Sequence, residues 1–235
     1  MRQTIRFGRV AGIPIGAHWS VLVVAVLITY TLATAVLPEL VVGVSAAMAL
    51  LAALVGAAIF LASIIAHELG HALAARREGV ATESITLWML GGVASLRDES
   101  PTPGAALRIS LAGPAVSIVL AVGAVATAIA GAMLGWVPEA LVAVAAWLAM
   151  INAMLAVFNL VPALPLDGGR ILQALLWRRS GDDIAATITA AAVGRLAGFA
   201  LIAGGAFQLV TGYGNGLWTM ALGWFIASAA AAERR

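Results

Sequence analysis

Apolar residues run along this chain in stretches too long for the core of a soluble domain, and a few polar or proline interruptions divide it into segments. After a short amphipathic approach over residues 1–16, residues 19–36 are apolar for long enough to cross a hydrocarbon layer of ~30 Å at ~1.5 Å per helical residue. Pro38 and Glu39 predict a short loop, and residues 44–77 follow as one long helix stopped by Arg76 and Arg77. Pro101 and Pro103 open a third span, in which Gly113-Pro114 predicts a kink or a close helix contact, and Pro138-Glu139 leads into a fourth that Pro162 and Pro165 break. A short helix over 171–179 and two more spans complete the chain. The fold class predicted is therefore an all-α polytopic membrane protein, a single domain over 1–235 with six transmembrane helices near 17–37, 44–77, 104–133, 140–160, 183–211 and 217–232.

Between the second and third spans the period changes. Residues 83–90 are rich in β-branched and aromatic side chains, Gly91-Gly92 follows, and then Val-Ala-Ser-Leu. This predicts two short strands joined by a two-residue hairpin turn. Strand backbone at membrane depth is tolerated only when buried in protein or lining a cavity, so the hairpin is expected to dip toward a site held by the helices. Gly194 and Gly198, four apart, suit close helix packing.

Composition sharpens this picture. The chain has 235 residues, 63% of them hydrophobic and 10% charged, with a mean hydropathy of +1.04, outside the range of soluble domains. All 13 basic residues are arginine and the net charge is only +2, with no basic patch to suggest a nucleic-acid partner. If residue 1 is cytoplasmic, Arg2, Arg6, Arg9, Arg76, Arg77, Arg97, Arg108, Arg170, Arg178, Arg179, Arg234 and Arg235 all fall on the inner side, and only Arg195 needs a partner within or near the bilayer. Both termini are then expected in the cytoplasm, the setting being a bacterial plasma membrane. Arg2, Arg6 and Arg9 before an apolar run resemble a secretory signal, but the segment is read as a first span. Cysteine is absent, so a metal would have to be held by histidine and carboxylate.

The candidate chemistry lies in the second span, where His67, Glu68 and His71 spell His-Glu-x-x-His. Residues four apart stand one turn above each other, so His67 and His71 can offer nitrogens to one tetrahedral Zn²⁺, with Glu68 beside them as general base. A cluster of this kind near hydrocarbon would be costly without a function. A catalytic zinc needs a third protein ligand, and Asp167 is the best candidate, because the fourth span runs parallel to the second and breaks at a similar depth. The competing role for Asp167 is an ordinary cap of the following helix. His18 beside Trp19 is an interfacial histidine or a neighbour of the site, and Asn152 suits a helix-to-helix hydrogen bond.

With His67-Glu68-x-x-His71 on the second span and Asn159-x-x-Pro162-x-x-Pro165-Leu166-Asp167-Gly168 on the fourth, the chain resembles the site-2 protease family of intramembrane zinc metalloproteases. The resemblance extends to Gly-Ile-Pro-Ile-x-x-His-Trp over residues 12–19 and to the Gly91-Gly92 hairpin. It implies one Zn²⁺ per chain held by His67, His71 and Asp167, Glu68 as catalytic base, Asn159 near the metal holding substrate or an oxyanion, and Gly91 and Gly92 beside the substrate. The substrate implied is a transmembrane segment of another protein in the lipid bilayer. Relatives carry a PDZ domain between spans or C-terminal CBS domains; neither is expected within these residues. From the residues alone, a different class remains open: a membrane transporter or sensor of a divalent metal using the same ligands.

Overall fold

The structure, a computed structural model, describes residues 4–89, 91–96, 100–212 and 214–233, with backbone alone for 93–96. Its elements in order are β1 (Ile5–Val10), β2 (Ile13–Ala17), α1 (Ser20–Thr31), a π-helical turn (Leu32–Val36), α2 (Leu37–Leu40), α3 (Ala46–Arg77), β3 (Thr82–Trp88), β4 (Gly91–Leu96), α4 (Pro103–Leu134), α5 (Glu139–Asn159), α6 (Asp167–Ser180), α7 (Asp183–Thr211) and α8 (Gly216–Ala232). Two compact units divide the chain: Met1–Glu99 with Ala112–Ala156, and Ser100–Leu111 with Val157–Arg235. Among the described residues five helical stretches are long and apolar enough to cross a membrane. The sixth predicted span corresponds to α8, which at 17 residues falls just short.

In the first unit the long helix α3 is the frame. Its start is fixed by Ser45, whose hydroxyl accepts from Met48 N at 3.3 Å, and its last turn carries Arg76 and Arg77 against the negative helix end. Toward its N-terminal end, Ala49, Ala52 and Ala53 pack with Leu32 and Leu37 and with Ala140, Val144 and Leu148 of α5. The first span does not stop at Pro38 as expected. The helix continues through a π turn into α2, with Pro38 near the start of α2.

The other half of α3 carries a sheet that the hydrophobic pattern showed only in part. Residues 5–17, expected as an amphipathic approach, form an antiparallel hairpin turning at Ala11 and Gly12, both with positive φ. Strand β2 then pairs in parallel with β3, and β3 pairs antiparallel with β4, giving the order β1-β2-β3-β4. The expected turn moves as well. Trp88 pairs with Gly91 and Leu87 with Gly92, so Gly91 and Gly92 belong to β4 and not to the turn; Leu90 lies outside the described residues. Ile13 and Ile85 pack on Leu69 and Ala72, while Ala17 and Leu87 pack near Leu61, Ile64 and Ile65. The sheet therefore covers the part of α3 that carries the His-Glu-x-x-His motif. Of the arginines used to orient the chain, Arg2, Arg97, Arg234 and Arg235 lie outside the described residues.

The second unit is built by close approach of small residues. A methyl group at Gly198 would stand 2.7 Å from both Ala227 N and Gly223 O, and one at Gly223 would stand 2.6 Å from Gly198 O. The same reciprocity links Gly205 and Gly216. Thr219 adds a hydrogen bond across the α7 and α8 pair, donating to Gln208 Oε1 at 2.9 Å. Gly194 packs on the backbone of Leu164, which shares a core with Ala190, Ala191 and Ala230. Gly198→Leu should force α7 and α8 apart and destabilise the protein by about 1–3 kcal/mol. Gly204→Leu, at a position where a Cβ meets nothing within 4 Å, is the control: thermal unfolding in detergent should drop for the first substitution and hold for the second.

Candidate metal centre and active site

The spacing of four on α3 brings the two imidazoles together as expected. His67 is 4% exposed and His71 half-buried. Their rings stand nearly perpendicular, at 76°, with centroids 4.9 Å apart and the two Nε2 atoms 3.2 Å apart. Zinc bonds of ~2.0–2.1 Å in tetrahedral geometry would separate two nitrogens by about 3.3 Å, so this convergence fits a shared ion.

Helix α4 supplies what makes the convergence possible. A Cβ at Gly113 would fall directly on His71 Nε2 and stand 2.6 Å from His67 Nε2, so any side chain there would fill the space in front of the nitrogens. One turn of α3 away, Gly70 permits the same closeness: its Cβ would stand 2.9 Å from Ala112 O and from Val116 Cγ2. The two helices thus meet nearly backbone to backbone, as small residues allow. The close contact expected at Gly113-Pro114 is found, and Pro114 is fully buried beside it.

One turn beyond Gly113, Ser117 is fully buried and its Oγ lies 2.8 Å from His67 Nδ1. With a cation on Nε2 a neutral imidazole carries its proton on Nδ1, and Nδ1–H would then donate to Ser117 Oγ, fixing both tautomer and ring. Sequence reasoning missed Ser117. The available signal was its position four after Gly113, on the same face of the helix.

Glu68, adjacent to His67, is half-buried, and the backbone of β4 lies against it at Gly92. Gly91 meets nothing within 4 Å; its φ of 133° is what demands glycine there.

In the second unit, Asn159 ends α5 and Asp167 is the first residue of α6. The connection between them is tightly folded, with Ala163 N bonded to Val161 O at 2.7 Å and Leu166 N to Ala163 O at 2.9 Å, and with a cis Leu164-Pro165 peptide. Side chains at Gly168 or Gly169 would collide with this connection, on Leu160 and Val161 carbonyl groups and on Leu164 N respectively. That is the physical sense of Asp-Gly-Gly: the bare first turn of α6 seats on the proline-broken segment. The cap position is Leu166, with no side-chain capping bond, so Asp167 stands inside the first turn and does not take the ordinary cap role.

Two further residues find structural partners. His18 Nδ1 lies 2.9 Å from Ser20 Oγ and accepts from Ser20 N, while Ser20 Oγ accepts from Met89 N at 3.1 Å, tying the end of β3 to the start of α1. Asn152 donates to Leu148 O of its own helix at 2.8 Å, and among the described residues its buried Oδ1 has no partner.

Ser117→Ala should weaken zinc binding about 10–100-fold by releasing the His67 ring, and Gly113→Ala should abolish it by filling the space before the nitrogens. Competition with a chromophoric chelator checks both. Wild-type affinity in Ser117→Ala would show that the Ser117 bond does not orient the ligand.

The model of Peptidase family M50 matches residues 55–135 and 133–203. Rip3 of Mycobacterium tuberculosis, which bears a zinc metalloprotease name, is 48% identical over 236 residues, covering 99% of this chain and 59% of that protein. Zinc metalloprotease MJ0392 of Methanocaldococcus jannaschii is 34% identical over 187 residues, 77% of this chain and 48% of that protein. The chain thus spans about half to three fifths of the length of these relatives. Among solved structures, the Site-2 Protease from Methanocaldococcus jannaschii is similar with a TM-score of 0.62 and 28% identity, covering 98% of this chain and 95% of that one.

Proposed function

Because the chain belongs to peptidase family M50, we propose that it is an intramembrane zinc endopeptidase. Its substrate is another membrane protein, cut at a peptide bond in or near a transmembrane segment, as in regulated intramembrane proteolysis. The observation that carries this reading is the convergence of His67 and His71 nitrogens, with Glu68 beside them, on a helix long and apolar enough to span a bilayer.

One catalytic domain covers residues 1–235. In this reading His67, His71 and Asp167 hold the metal, histidine and carboxylate being the ligand types open to a chain without cysteine. A zinc ion held there supplies Lewis-acid polarisation of the scissile carbonyl and of the attacking water. Glu68 takes a proton from that water and delivers it to the leaving amine. Asn159 donates a hydrogen bond to substrate or to the developing oxyanion. Family membership and the glutamate within the motif favour this over transport of the metal, for which a general base has no use.

A transmembrane helix hides its peptide bonds, so the substrate must unwind locally and needs new backbone partners, each unsatisfied group costing several kcal/mol in hydrocarbon. Strand β4 is at the edge of the sheet, and substrate pairing along it near Gly91 and Gly92 would supply those partners. The arginines orient the chain with both termini in the cytoplasm of a bacterial cell.

Glu68→Gln should retain zinc and fold yet lose cleavage, since no ligand changes while the proton shuttle is gone; turnover at the wild-type rate would sink the peptidase mechanism. Asp167→Ala should lose bound zinc in elemental analysis, and an unchanged stoichiometry would remove Asp167 from the ligand set. For orientation, the cysteine-free chain takes single probes: a cysteine at Glu139 should react with an impermeant thiol reagent from outside the cell and one at Arg77 should not. The opposite pattern inverts the topology.

A further inference from the structure

Adjacent glycines in β4 have different reasons to be glycine, and one of them bears on the general base. Gly92 pairs with Leu87 across the hairpin. A methyl group built on it would fall on Glu68 Cγ and stand 2.8 Å from Glu68 Cδ and 2.9 Å from Oε1. The bare strand backbone is therefore a wall lying directly on the glutamate side chain. A glutamate has several side-chain torsions, and this wall excludes the staggered states that would carry the carboxylate into the strand. A general base must sit within ~2.6–3.2 Å of the proton it takes, and a 1 Å displacement can cost about 10²-fold in rate.

We propose that Gly92 is a positioning residue for Glu68: the backbone of β4 at this point holds the carboxylate in its working orientation, and only a residue without a side chain can do so. The proposal rests on the reading of Glu68 as the base and refines the role of Gly92, which acts through Glu68 and leaves Gly91 and the strand edge to the substrate. A side chain at 92 meets Cγ, Cδ and Oε1 of a side chain, not a backbone. Glu68 can rotate away, so the fold tolerates the change and the cost falls on catalysis.

Gly92→Ala should lower kcat about 10²-fold with KM, zinc content and thermal transition near their wild-type values. In the Glu68→Gln background, Gly92→Ala should leave the Kd for a trapped substrate segment unchanged, because Gly92 orients the side chain at 68 and does not itself hold the substrate. A Kd that rises there would assign Gly92 to substrate binding and overturn the proposal, as would a wild-type kcat in Gly92→Ala. The contact itself is tested without turnover. In the cysteine-free chain, stripped of metal, Glu68→Cys with Gly92→Cys should close a disulfide on mild oxidation, read by loss of maleimide-reactive thiols. Glu68→Cys with Ser84→Cys, about 10 Å further along the paired strands, should stay reduced. Failure of the first pair to close would overturn the proposal even if Gly92→Ala failed to fold. Turnover by Glu68→Gln alone would instead overturn the assignment of the base and leave the packing result standing.

Discussion

Everything at the site depends on how closely α4 passes α3. Two imidazoles can converge inside a helical membrane protein only if the opposing helix presents no side chain where they meet, and Gly113 meets that condition. Gly70 on the other helix does the same against Ala112. Once the backbones are this close, Ser117 arrives within 2.8 Å of His67 Nδ1 without any further adjustment. The convergence of the imidazoles, the Ser117 contact and the helix packing are thus consequences of one contact. In a hydrocarbon setting, where apolar side chains gain little by leaving lipid, close backbone approach is also the main attraction between helices, so the same glycines bear on stability and on chemistry.

The sequence made the helices legible because spans of this hydrophobicity leave few alternatives, and their boundaries fell within a few residues for α4, α5, α7 and α8. It made the convergence of His67 and His71 legible because His-Glu-x-x-His fixes relative position by helical geometry alone. The N-terminal hairpin was not legible for a definite reason. Ile13, Ile15 and Ala17 are buried by pairing with β3, some seventy residues later, and by packing on α3; a parallel partner so distant leaves no local signal. The turn of the second hairpin was misplaced for a related reason. Gly91 and Gly92 suit a turn in isolation, but both are required inside the strand, one by its φ and one by its proximity to Glu68. Ser117 was missed because a lone serine on a membrane helix is common and its partner lies fifty residues away.

Glycine in this chain therefore carries two kinds of information that sequence alone cannot separate. Gly79, Gly91 and Gly181 sit at positive φ with open space around them, and their role is conformational. Gly70, Gly92, Gly113, Gly198 and Gly223 have no such φ, yet each lacks room for a methyl group. Conformational glycines tolerate bulk poorly but touch nothing, so substituting them strains the backbone locally. Contact glycines transmit a substitution to whatever they face, and what they face differs: helix backbone at Gly198 and Gly223, imidazole nitrogens at Gly113, a carboxylate side chain at Gly92.

That difference explains why a sheet is built onto one half of a helix in an otherwise helical protein. A helix facing Glu68, even one bared by a glycine as α4 is at Gly113, would offer a ladder whose carbonyl groups are already satisfied. A strand presents its backbone flat, with one edge still able to pair. Burial of Ile85 and Leu87 against α3 presses that backbone onto the motif, so the register between Leu87 and Gly92 determines which residue meets the glutamate. A one-residue slip would turn every side chain of β4 to the opposite face and bring a different residue, Gly91 or Val93, opposite Leu87. The packing of β3 on α3 and the absence of a side chain at 92 are in this way one constraint, and Glu68 is where it is felt.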